Sequence, residues 1–427
     1  MTLAERTLGE ICDEVGGIIR TGPFGSQLHE SDYREDGLPV VMPRDITDGR
    51  ISTASIARIG PEDEARLSQH KLTRGDIVYG RRGDIGRRAL ITARERGWLC
   101  GTGCLRLSLG DSILDPAFLY YYLGLPRVTA WISNQAIGAT LPNLNTTILR
   151  SVPIAYPSPP VQKSIASILS AYDDLIENNT RRIKILEEMT QAIYREWFVH
   201  FRFPGHKKVK LVNSPLGPIP EGWEVRPIGE AIAVCGGATP STKSAEYWED
   251  GDVVWFSPSD LTAADAMFML DSSRKITTLG LESCSARLFP AYSVMLTSRA
   301  TIGVVSINTT PACTNQGFIT CLPNDRVTAY HIYFWLRDNK EKIISLASGA
   351  TFKEISKATF RQIPFLLPPQ ANAFTFAETL EPLGKHIEVL LQKNVNLRQT
   401  RDYLLPKLIS GEVDVSDLDI NVGDAAA

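Results

Sequence analysis

The sequence predicts an α+β fold in which one unit occurs twice, each copy being a mixed, mostly β domain followed by a long helix. Three observations predict it: short motifs that recur in the same order, β-like segments bounded by turn residues, and two apolar stripes with heptad spacing. The chain has 427 residues, of which 43% are hydrophobic and 22% are charged. This size and composition are typical of a globular protein with two or three domains.

Recurring landmarks indicate that a unit of roughly 210 residues has been duplicated. A single shared tripeptide arises easily by chance, whereas a series of matches in one order does not. The matched pairs are Leu8–Glu10 with Ile228–Glu230, Gly16-Gly17 with Gly236-Gly237, Pro43–Ile46 with Pro258–Leu261, Arg82–Gly86 with Arg299–Gly303, Gly138–Thr140 with Gly349–Thr351, and Pro153 with Pro364.

Each copy begins with short segments that have the composition of β-strands. Gly, Pro, Asp and Ser turns bound them, which favours a mixed, mostly β domain. The clearest segments are Leu38–Met42, Asp76–Tyr79, Leu99–Leu107, Val253–Phe256, Ser293–Thr297 and Gly317–Cys321. A short aromatic helix follows in each copy, over Pro116–Leu123 and Ala329–Arg337, and its spacing favours core packing over base stacking.

Each copy ends in a long helix whose apolar residues recur with heptad spacing. Prolines punctuate the two starts, and each stripe continues for about four heptads, which predicts a coiled coil. One Asn interrupts each stripe, as in coiled coils whose register a polar residue fixes. Against the Pro-Pro-Gln landmarks the second helix fits best when shifted by one heptad, so the residue pairing stays open by seven. The predicted seam residues are Ile165, Leu169, Tyr172, Ile176, Asn179, Ile183, Leu186, Leu380, Leu383, Ile387, Leu390, Asn394, Leu397 and Leu404.

These elements divide the chain into six predicted segments. Prolines and glycines mark an extended linker between the copies, and the stretch after Gly411 carries five acids and no base, which predicts a disordered tail. The segments are a globular domain at 1–156, a helix at 157–203, the linker at 204–222, a second globular domain at 223–367, a second helix at 368–411 and the tail at 412–427.

The charge distribution says more than the net charge of −3. Nine basic residues against three acids lie between Arg66 and Arg96, and such a segment suits either phosphate contacts or a solvated surface. The seven cysteines are scattered and lack zinc spacing, which predicts reduced thiols in a cytoplasmic protein and no metal site. The apolar runs are too short for a membrane span, and the N-terminus lacks a signal peptide, so we expect no membrane association.

The residue patterns of DNA-modifying enzymes are missing. The two Pro-Pro pairs precede Val161 and Gln370 instead of the aromatic residue of a methyltransferase tetrapeptide, and no carboxylate–lysine cluster recurs in both copies. The six histidines are dispersed. We therefore expect no catalytic residues and no cofactor. Two alternatives stay open: an enzyme that modifies DNA in its own right, and a coiled-coil scaffold that binds only proteins.

Four motifs carry a resemblance to a known family. They are Gly22–Ser26 near the start of the first copy, Gly236–Lys243 at the equivalent place in the second, Pro220–Val225 at the entry to the second copy, and Leu404–Glu412 at the end of the second helix. Together with the duplication they make the chain resemble the specificity subunits of type I restriction–modification systems. The first copy has Arg-Thr-Gly-Pro-Phe where the second has Gly-Ala-Thr-Pro-Ser, which suggests that the two domains read different half-sites.

The resemblance implies two target-recognition domains separated by two long helices that pair antiparallel. It implies binding of double-stranded DNA at a bipartite site, assembly with two methyltransferase subunits, and assembly with motor–nuclease subunits. A helix of about 35 residues spans roughly 50 Å, enough to separate two half-sites by a turn of duplex. Four aromatics after the first helix are expected either to anchor a partner or to close the end of the coiled coil: Tyr194, Trp197, Phe198 and Phe201.

Loop residues that can reach bases or phosphates are the expected DNA contacts. Paired arginines such as Arg81 and Arg82 suit bidentate contacts with guanine. The candidates in the first domain are Arg20, Thr21, Ser26, Gln27, Arg44, Arg81, Arg82, Arg87, Asn134, Gln135 and Thr140. The candidates in the second domain are Thr239, Ser241, Thr242, Lys243, Ser259, Arg299, Asn315, Gln316, Thr351 and Lys353.

Overall fold

A computed structural model describes residues 3–110, 113–136, 143–349 and 353–418 of the chain. The polypeptide packs as two compact units. The first unit is Met1–Ile176 together with Asn396–Ala427, and the second unit is Glu177–Val395. Each contains small sheets, short helices and a part of both long helices, which confirms the predicted α+β class.

The helices begin where the sequence supplies a cap or a proline. Thr7, Asp115, Asn145, Thr277, Thr328 and Ser356 each accept a hydrogen bond from a first-turn amide, which satisfies one of the free donors of the helix start. Within the described ranges the α-helices, α1 to α13 in chain order, are Leu8–Glu14, Pro61–Arg66, Pro116–Tyr122, Pro126–Gln135, Thr146–Arg150, Pro159–Tyr194, Ile228–Ala231, Pro258–Ala264, Thr278–Glu282, Ala329–Asp338, Lys340–Ser345, Lys357–Arg361 and Gln370–Ser410.

Within the described ranges the strands are short, and each of the six predicted β-like segments contains at least one of them. In chain order β1 to β12 are Ala4–Thr7, Ile18–Thr21, Tyr33–Arg34, Leu38–Val41, Ile46–Thr47, Arg50–Ile51, Ala57–Ile59, Ile77–Gly80, Arg88–Leu90, Leu99–Cys100, Cys104–Ser108 and Pro153–Tyr156. Strands β13 to β24 are Leu211–Ser214, Gly217–Pro220, Glu224–Pro227, Ala233–Cys235, Val253–Phe256, Phe268–Met269, Lys275–Ile276, Val294–Thr297, Val305–Asn308, Ala312–Thr314, Phe318–Leu322 and Pro364–Leu367.

Two four-stranded sheets form the body of the first unit. Their strand orders are β2-β11-β8-β9 and β10-β4-β7-β3, and the pair β10–β4 is parallel. The first strand, β1, pairs antiparallel with the last, β12, so that both ends of the domain meet beside the start of α6. The main apolar core places Ile77 and Leu105 of the sheet against α3 and α6.

The second unit repeats this arrangement. Its sheets have the orders β16-β23-β20-β21-β18 and β19-β17-β22, and β17 pairs with β22 in parallel as β4 does with β10. Strand β15 pairs with β24 as β1 pairs with β12. The structure therefore confirms that one topology occurs twice in the chain.

The paired end strands resolve the register of the two long helices. Thr7 lies opposite Pro153 in the first copy, and Pro227 lies opposite Pro364 in the second. Both helices begin at the same interval after these equivalent prolines, at Pro159 and Gln370. The heptad shift favoured by the Pro-Pro-Gln landmarks is therefore wrong, because aligning the strands aligns the two seams without any shift.

The long helices α6 and α13 pair antiparallel within each unit. In the first unit Ile165 and Leu169 share a core with Leu404 and Leu408. In the second unit the later residue Ile183 shares a core with the earlier residues of α13, among them Leu380, Ile387 and Leu390. All the predicted seam residues are buried or half-buried. Heptad spacing and antiparallel packing together account for this burial.

Three predicted segments differ from the structure. The stretch 204–222 was expected to be an extended linker, but it contains a β13–β14 hairpin anchored by buried Phe203, Ile219 and Trp223. The first long helix was expected to reach residue 203. Its α-helical part ends at Tyr194, and one turn of π-helix follows over Arg195–Val199. Residues 412–418, expected to be disordered, form turns that bury Val415, since its apolar side chain packs on the end of α13; residues 419–427 lie outside the described ranges.

Candidate nucleic-acid interface

In the first copy, loops that are far apart in sequence meet around Pro43. Pro43 packs against Gly80, the last residue of β8, and against Gly103, in the loop between β10 and β11. The Gly22 amide donates to the Cys104 carbonyl at 3.0 Å, and a Cβ at Gly22 would overlap the backbone of Gly101. Only glycine permits this approach, which explains the Gly-Pro-Phe-Gly motif. The fold thereby brings the loops of Arg44 and Arg81 together with the Gly22 loop.

The recurring Pro-x-Asp motif in these loops serves as a helix cap. Asp45 is buried and accepts a hydrogen bond from the Met42 amide at 2.8 Å, and burial raises the pKa of its carboxyl group. In the second copy Asp260 accepts from Ser257 and Ser273; burial alone would raise the pKa of Asp260, but these hydrogen bonds outweigh burial and lower it. The cap leaves the preceding Arg44 side chain 68% exposed.

The three arginines singled out near position 82 have different surroundings. The Arg81 guanidinium donates to the Leu144 carbonyl at 3.1 Å, and burial together with neighbouring Arg82 lowers its pKa. Arg87 pairs with Asp84 at 3.3 Å. Arg82 is exposed beside Asn143, to which its backbone is bridged, and no hydrogen bond or ion pair of its side chain is found among the described residues. Arg82 is therefore the guanidinium of this group that is best placed to meet a ligand.

The remaining candidates of the first copy are mostly exposed but less closely grouped. Arg20 donates to the Gln69 side chain at 3.2 Å, and the Gln27 side chain accepts from the Phe24 amide at 3.1 Å, which fixes the turn. Ser26 is exposed and Thr21 is half-buried. Asn134 and Gln135 are exposed at the end of α4, and among the described residues no hydrogen bond or ion pair joins their side chains to the Pro43 loops. Thr140 lies outside the described residues.

The second copy gathers the equivalent loops around Pro258. Pro258 packs against Gly317, and a Cβ at Gly237 would overlap the backbone of Thr314. Thr239 donates through its hydroxyl to the Gln316 side chain at 2.7 Å. The Asn315 side chain accepts from the Gly317 amide at 2.8 Å, and Ser259 shares a hydrogen bond with Ser257. Thr239, Ser259, Asn315 and Gln316 thus lie close together around Pro258, and their contact with DNA stays a prediction.

Two tryptophans fix the loop that carries Ser241, Thr242 and Lys243. The indole of Trp255 donates to the Ala238 carbonyl, and that of Trp248 donates to the Ser241 carbonyl, both at 3.0 Å. These bonds leave the side chains of Ser241, Thr242 and Lys243 exposed. The loop is therefore rigid at its backbone and polar at its surface.

Arg299 stands where the first copy has Arg82, but it is ion-paired. Its guanidinium donates to Glu354 at 2.7 and 3.0 Å, and the backbones of the two residues are bridged. The Ala300 amide donates to the Lys353 carbonyl, which brings exposed Lys353 to the same cluster. Thr351 lies outside the described residues.

Sequence reasoning missed two basic residues beside this loop. The Lys357 side chain lies across Gly236, and the Arg274 guanidinium stacks over Trp248 with its carbon 3.7 Å from the ring centre. Neither residue belongs to a motif shared by the two copies. The only available signal was the local excess of Lys and Arg, which does not specify position.

The aromatics expected as exposed docking anchors are not exposed. Tyr194, Trp197 and Phe198 are each less than 9% exposed, and Phe201 is half-buried. The Phe198 ring stacks on His331 and meets Phe376 edge to face. The expectation of exposure is wrong because the second domain folds back onto the end of α6 and covers these rings; they close the end of the helix pair.

The described residues offer neither a metal site nor a membrane-spanning helix. Among them, no group of three or more His, Cys, Asp and Glu side chains has the geometry to hold a metal ion. No helix in the described ranges is long and apolar enough to span a membrane. Burial raises the pKa of the Cys100 thiol to about 12 and that of the Cys321 thiol well above its ordinary value.

Known proteins share both the sequence pattern and the fold. A family described as "Type I restriction modification DNA specificity domain" matches residues 4–188 and 220–399. The MjaIX specificity subunit of Methanocaldococcus jannaschii is 32% identical over 200 residues, which cover 46% of this chain and 45% of that relative. The HindI specificity subunit of Haemophilus influenzae is 23% identical over 403 residues, which cover 80% of this chain and 87% of that protein.

A solved structure agrees on the fold. The S subunit of a type I restriction–modification system from M. genitalium superposes with a TM-score of 0.58 at 16% identity, and the match covers 96% of each chain. The family match extends over most of the chain and includes both repeats. The chain therefore belongs to the DNA-specificity family of type I restriction–modification systems, whose members are non-catalytic specificity subunits.

Proposed function

We propose that the chain reads a bipartite DNA site, with one loop cluster contacting each half-site. The observation that carries this proposal is the recurrence of one loop arrangement, around Pro43 and around Pro258, with different side chains on it. In this proposal the target-recognition domains are residues 1–156 and 223–367, and the helices within 157–203 and 368–411 set the distance between half-sites. Loop side chains read base edges, while basic residues hold the backbone phosphates.

The DNA contacts proposed in the first domain centre on Arg82 and Arg44, which are exposed and lie on adjoining loops. Arg20, Ser26 and Arg87 are the next candidates. Arg81 supports the loop, since its guanidinium is held by the Leu144 carbonyl. In the second domain the contacts centre on Ser241, Thr242, Lys243, Gln316 and Lys353, with Lys357 and Arg274 added.

The decisive experiment is a methylome of cells that carry wild-type or Arg82→Ala protein with its methyltransferase. We expect the variant to lose methylation at the bipartite motif, or to relax one base of one half-site, because a bidentate Arg–guanine contact discriminates by about 1–3 kcal/mol. Arg94→Ala is the matched control, since Arg94 lies in the same basic segment but pairs with Glu95. An unchanged motif and methylation level in Arg82→Ala cells would exclude Arg82 from recognition.

The proposal includes recruitment of two methyltransferase subunits and of motor–nuclease subunits. With Tyr194, Trp197 and Phe198 buried, the apolar anchors for a partner must lie elsewhere. Ile185 and Met189 are 55% and 48% exposed and are one helical turn apart on α6. We expect Ile185→Glu with Met189→Glu to abolish co-purification of the methyltransferase, while Lys184→Glu with Glu188→Lys on the same helix leaves it intact. Normal co-purification of the first variant would exclude this face.

A further inference from the structure

The polar residues in the helix seam occupy non-equivalent positions of the two repeats. The offset that relates Pro153 to Pro364 places Asn179 opposite Leu390 in the alignment of the repeats. The same offset places Asn394 opposite Ile183. All four residues are buried. Duplication of one unit therefore does not by itself account for both asparagines. In the alignment of the repeats their positions are about one helical turn apart.

The two asparagines bond to each other across the helix pair. The Asn179 amide nitrogen donates to the Asn394 carbonyl oxygen at 2.9 Å. The Asn394 amide nitrogen in turn donates to the Thr180 hydroxyl at 3.3 Å. Thr180 has Leu391 as its equivalent in the other repeat, so this acceptor also exists on only one helix. Each buried amide thus finds its partner on the other helix.

A second polar contact in the helix pair has the same property. Asp173 of α6 forms an ion pair with Arg401 of α13 and accepts a hydrogen bond from the Tyr121 hydroxyl at 2.6 Å. The side chains of Asp173 and Arg401 are only 17% and 26% exposed. In the alignment of the repeats Asp173 corresponds to Gly384 and Arg401 to Thr190. Neither helix can supply this pair by itself.

Helices that derive from one duplicated unit can in principle pair with copies of themselves. In the same antiparallel register, Asn179 of α6 would face Ile183 of a second α6, and Asp173 would face Thr190. The two copies of Asn179 would be displaced by about 6 Å along the axis and separated by a helix spacing of about 8–10 Å, too far to bond. Self-pairing of α6 would therefore bury the Asn179 amides without partners and deprive each Asp173 carboxylate of its arginine, leaving it only the Tyr121 hydroxyl.

The same mismatch arises when the C-terminal helix pairs with itself. Asn394 would face Leu390, and Arg401 would face Gly384, so that two amides would lose their partners and two guanidinium groups would lose Asp173 and keep only Asp402 of their own helix. Apart from Ile183 and Leu390, the predicted apolar seam residues that α6 and α13 share in the alignment have apolar equivalents, so polarity at those positions does not distinguish one pairing from another. Only the off-register polar residues distinguish the pairings.

We propose that Asn179, Asn394, Asp173 and Arg401 select pairing between the two different helices over pairing of either helix with a second copy of itself. The partner they exclude is a second molecule of this chain. The consequence for target choice rests on the proposed function: self-pairing would combine two identical recognition domains, which would read a symmetric site. Pairing of α6 with α13 keeps the two different recognition domains in one molecule.

Connection in one chain also favours pairing within the molecule, because it gives a high effective concentration. The test therefore compares variants of the full chain with the same connectivity. Asn179→Leu with Leu390→Asn moves both amides to α13. Within one chain the amide at position 390 then faces Ile183, and Asn394 loses its amide partner and keeps only the Thr180 hydroxyl. In a dimer of self-paired helices, by contrast, position 390 of each copy faces Asn394 of the other, so the amides bond to each other.

We expect this double variant to dimerise with an affinity about a hundredfold above that of the wild type, measured by sedimentation equilibrium of purified chains. The matched control rearranges the four wild-type residues: Asn179→Leu, Ile183→Asn, Leu390→Asn and Asn394→Ile. Its two amides again face each other across the different helices, so we expect a monomer with a melting temperature near that of the wild type.

Two results would overturn the proposal. One is a double variant that stays monomeric with wild-type thermal stability. The other is a four-residue control that dimerises or unfolds as readily as the double variant, which covers the case in which the double variant does not fold. Neither measurement involves DNA, so this proposal can fail while bipartite recognition stands.

Discussion

Arg82 and Arg299 occupy the same place in the two repeats, and each is bridged through its backbone to the segment before the last strand of its domain. The neighbour across the bridge is Asn143 in the first repeat and Glu354 in the second. The first guanidinium is therefore left with its charge, and the second is neutralised by an ion pair at 2.7 Å. The comparison teaches that one backbone scaffold presents two electrostatic surfaces, and that a single neighbouring residue decides which.

The largest expected change in stability comes from substituting Asp173, whose equivalent in the second repeat is Gly384. Asp173→Ala should lower the free energy of unfolding by about 3 kcal/mol, because it leaves the half-buried Arg401 with only exposed Asp402 as a partner and removes the acceptor of the Tyr121 hydroxyl. Urea unfolding measures the change. Asp174→Ala is the control: the Asp174 side chain is 72% exposed, and loss of its contact with Arg50 should change stability by less than about 1 kcal/mol.

The reciprocal substitution sharpens this comparison. At Gly384 the Tyr330 hydroxyl occupies the space that a Cβ would need. Gly384→Ala should therefore destabilise the chain by about 1–3 kcal/mol through overpacking, even though alanine is the better helix former. Equal stability of wild type and Gly384→Ala would mean that the Tyr330 ring moves aside freely.

A smaller difference concerns acid stability. His331 follows its N-cap as Phe118 does in the first repeat, and burial lowers the pKa of His331 to about 3. The folded state holds it neutral, whereas the unfolded chain binds a proton below about pH 6.5. Above about pH 6.5 His331 therefore causes no loss of stability. As the pH falls from 6.5 towards 3, protonation of the unfolded chain lowers the free energy of unfolding, by about 2 kcal/mol at pH 5.

His331→Phe, which installs the residue of the first repeat, should remove that loss. The measurement is the free energy of unfolding in urea at pH 5 and at pH 7.5 for both proteins. His29→Phe, which removes an exposed histidine, is the control. If His331→Phe lost as much stability at pH 5 as the wild type, the buried ring would not be the acid-sensitive group.

The smallest expected effect is on DNA affinity, when Arg299 loses its ion-pair partner Glu354. Glu354→Gln should raise DNA affinity of the complex with its methyltransferase by a few-fold, since exposed ion pairs are worth about 1 kcal/mol or less. The salt dependence should also steepen by about one released counterion. Glu341→Gln, on an exposed helix, is the control. Affinity and salt slope identical to wild type would show that Arg299 lies away from the phosphates.

The sequence was most informative where structure depends on local pattern. The heptad seam and the prolines predicted the starts of both long helices to within about two residues, whereas the first helix was predicted to run past Tyr194 to residue 203. Thr239 and Gln316 were separate candidates, and their hydrogen bond between two loops was not predicted. The roles of Asp45 and Asp260 as caps were missed, because a capping aspartate and a DNA-contacting one look alike in sequence. The burial of Tyr194, Trp197 and Phe198 was missed because the Phe376 and Trp223 rings that cover them come from distant segments.

The first compact unit takes its last helical segment from the far end of the chain, beginning at Asn396, while the second unit is one uninterrupted stretch. During synthesis the second unit can therefore complete its core as soon as Val395 has left the ribosome. The first unit, although made earlier, has its core around Ile165 and Leu169 incomplete until Leu404 and Leu408 arrive. The half of the protein that is translated first is the half that finishes folding last, and chaperones have the longest access to its unfinished helix face.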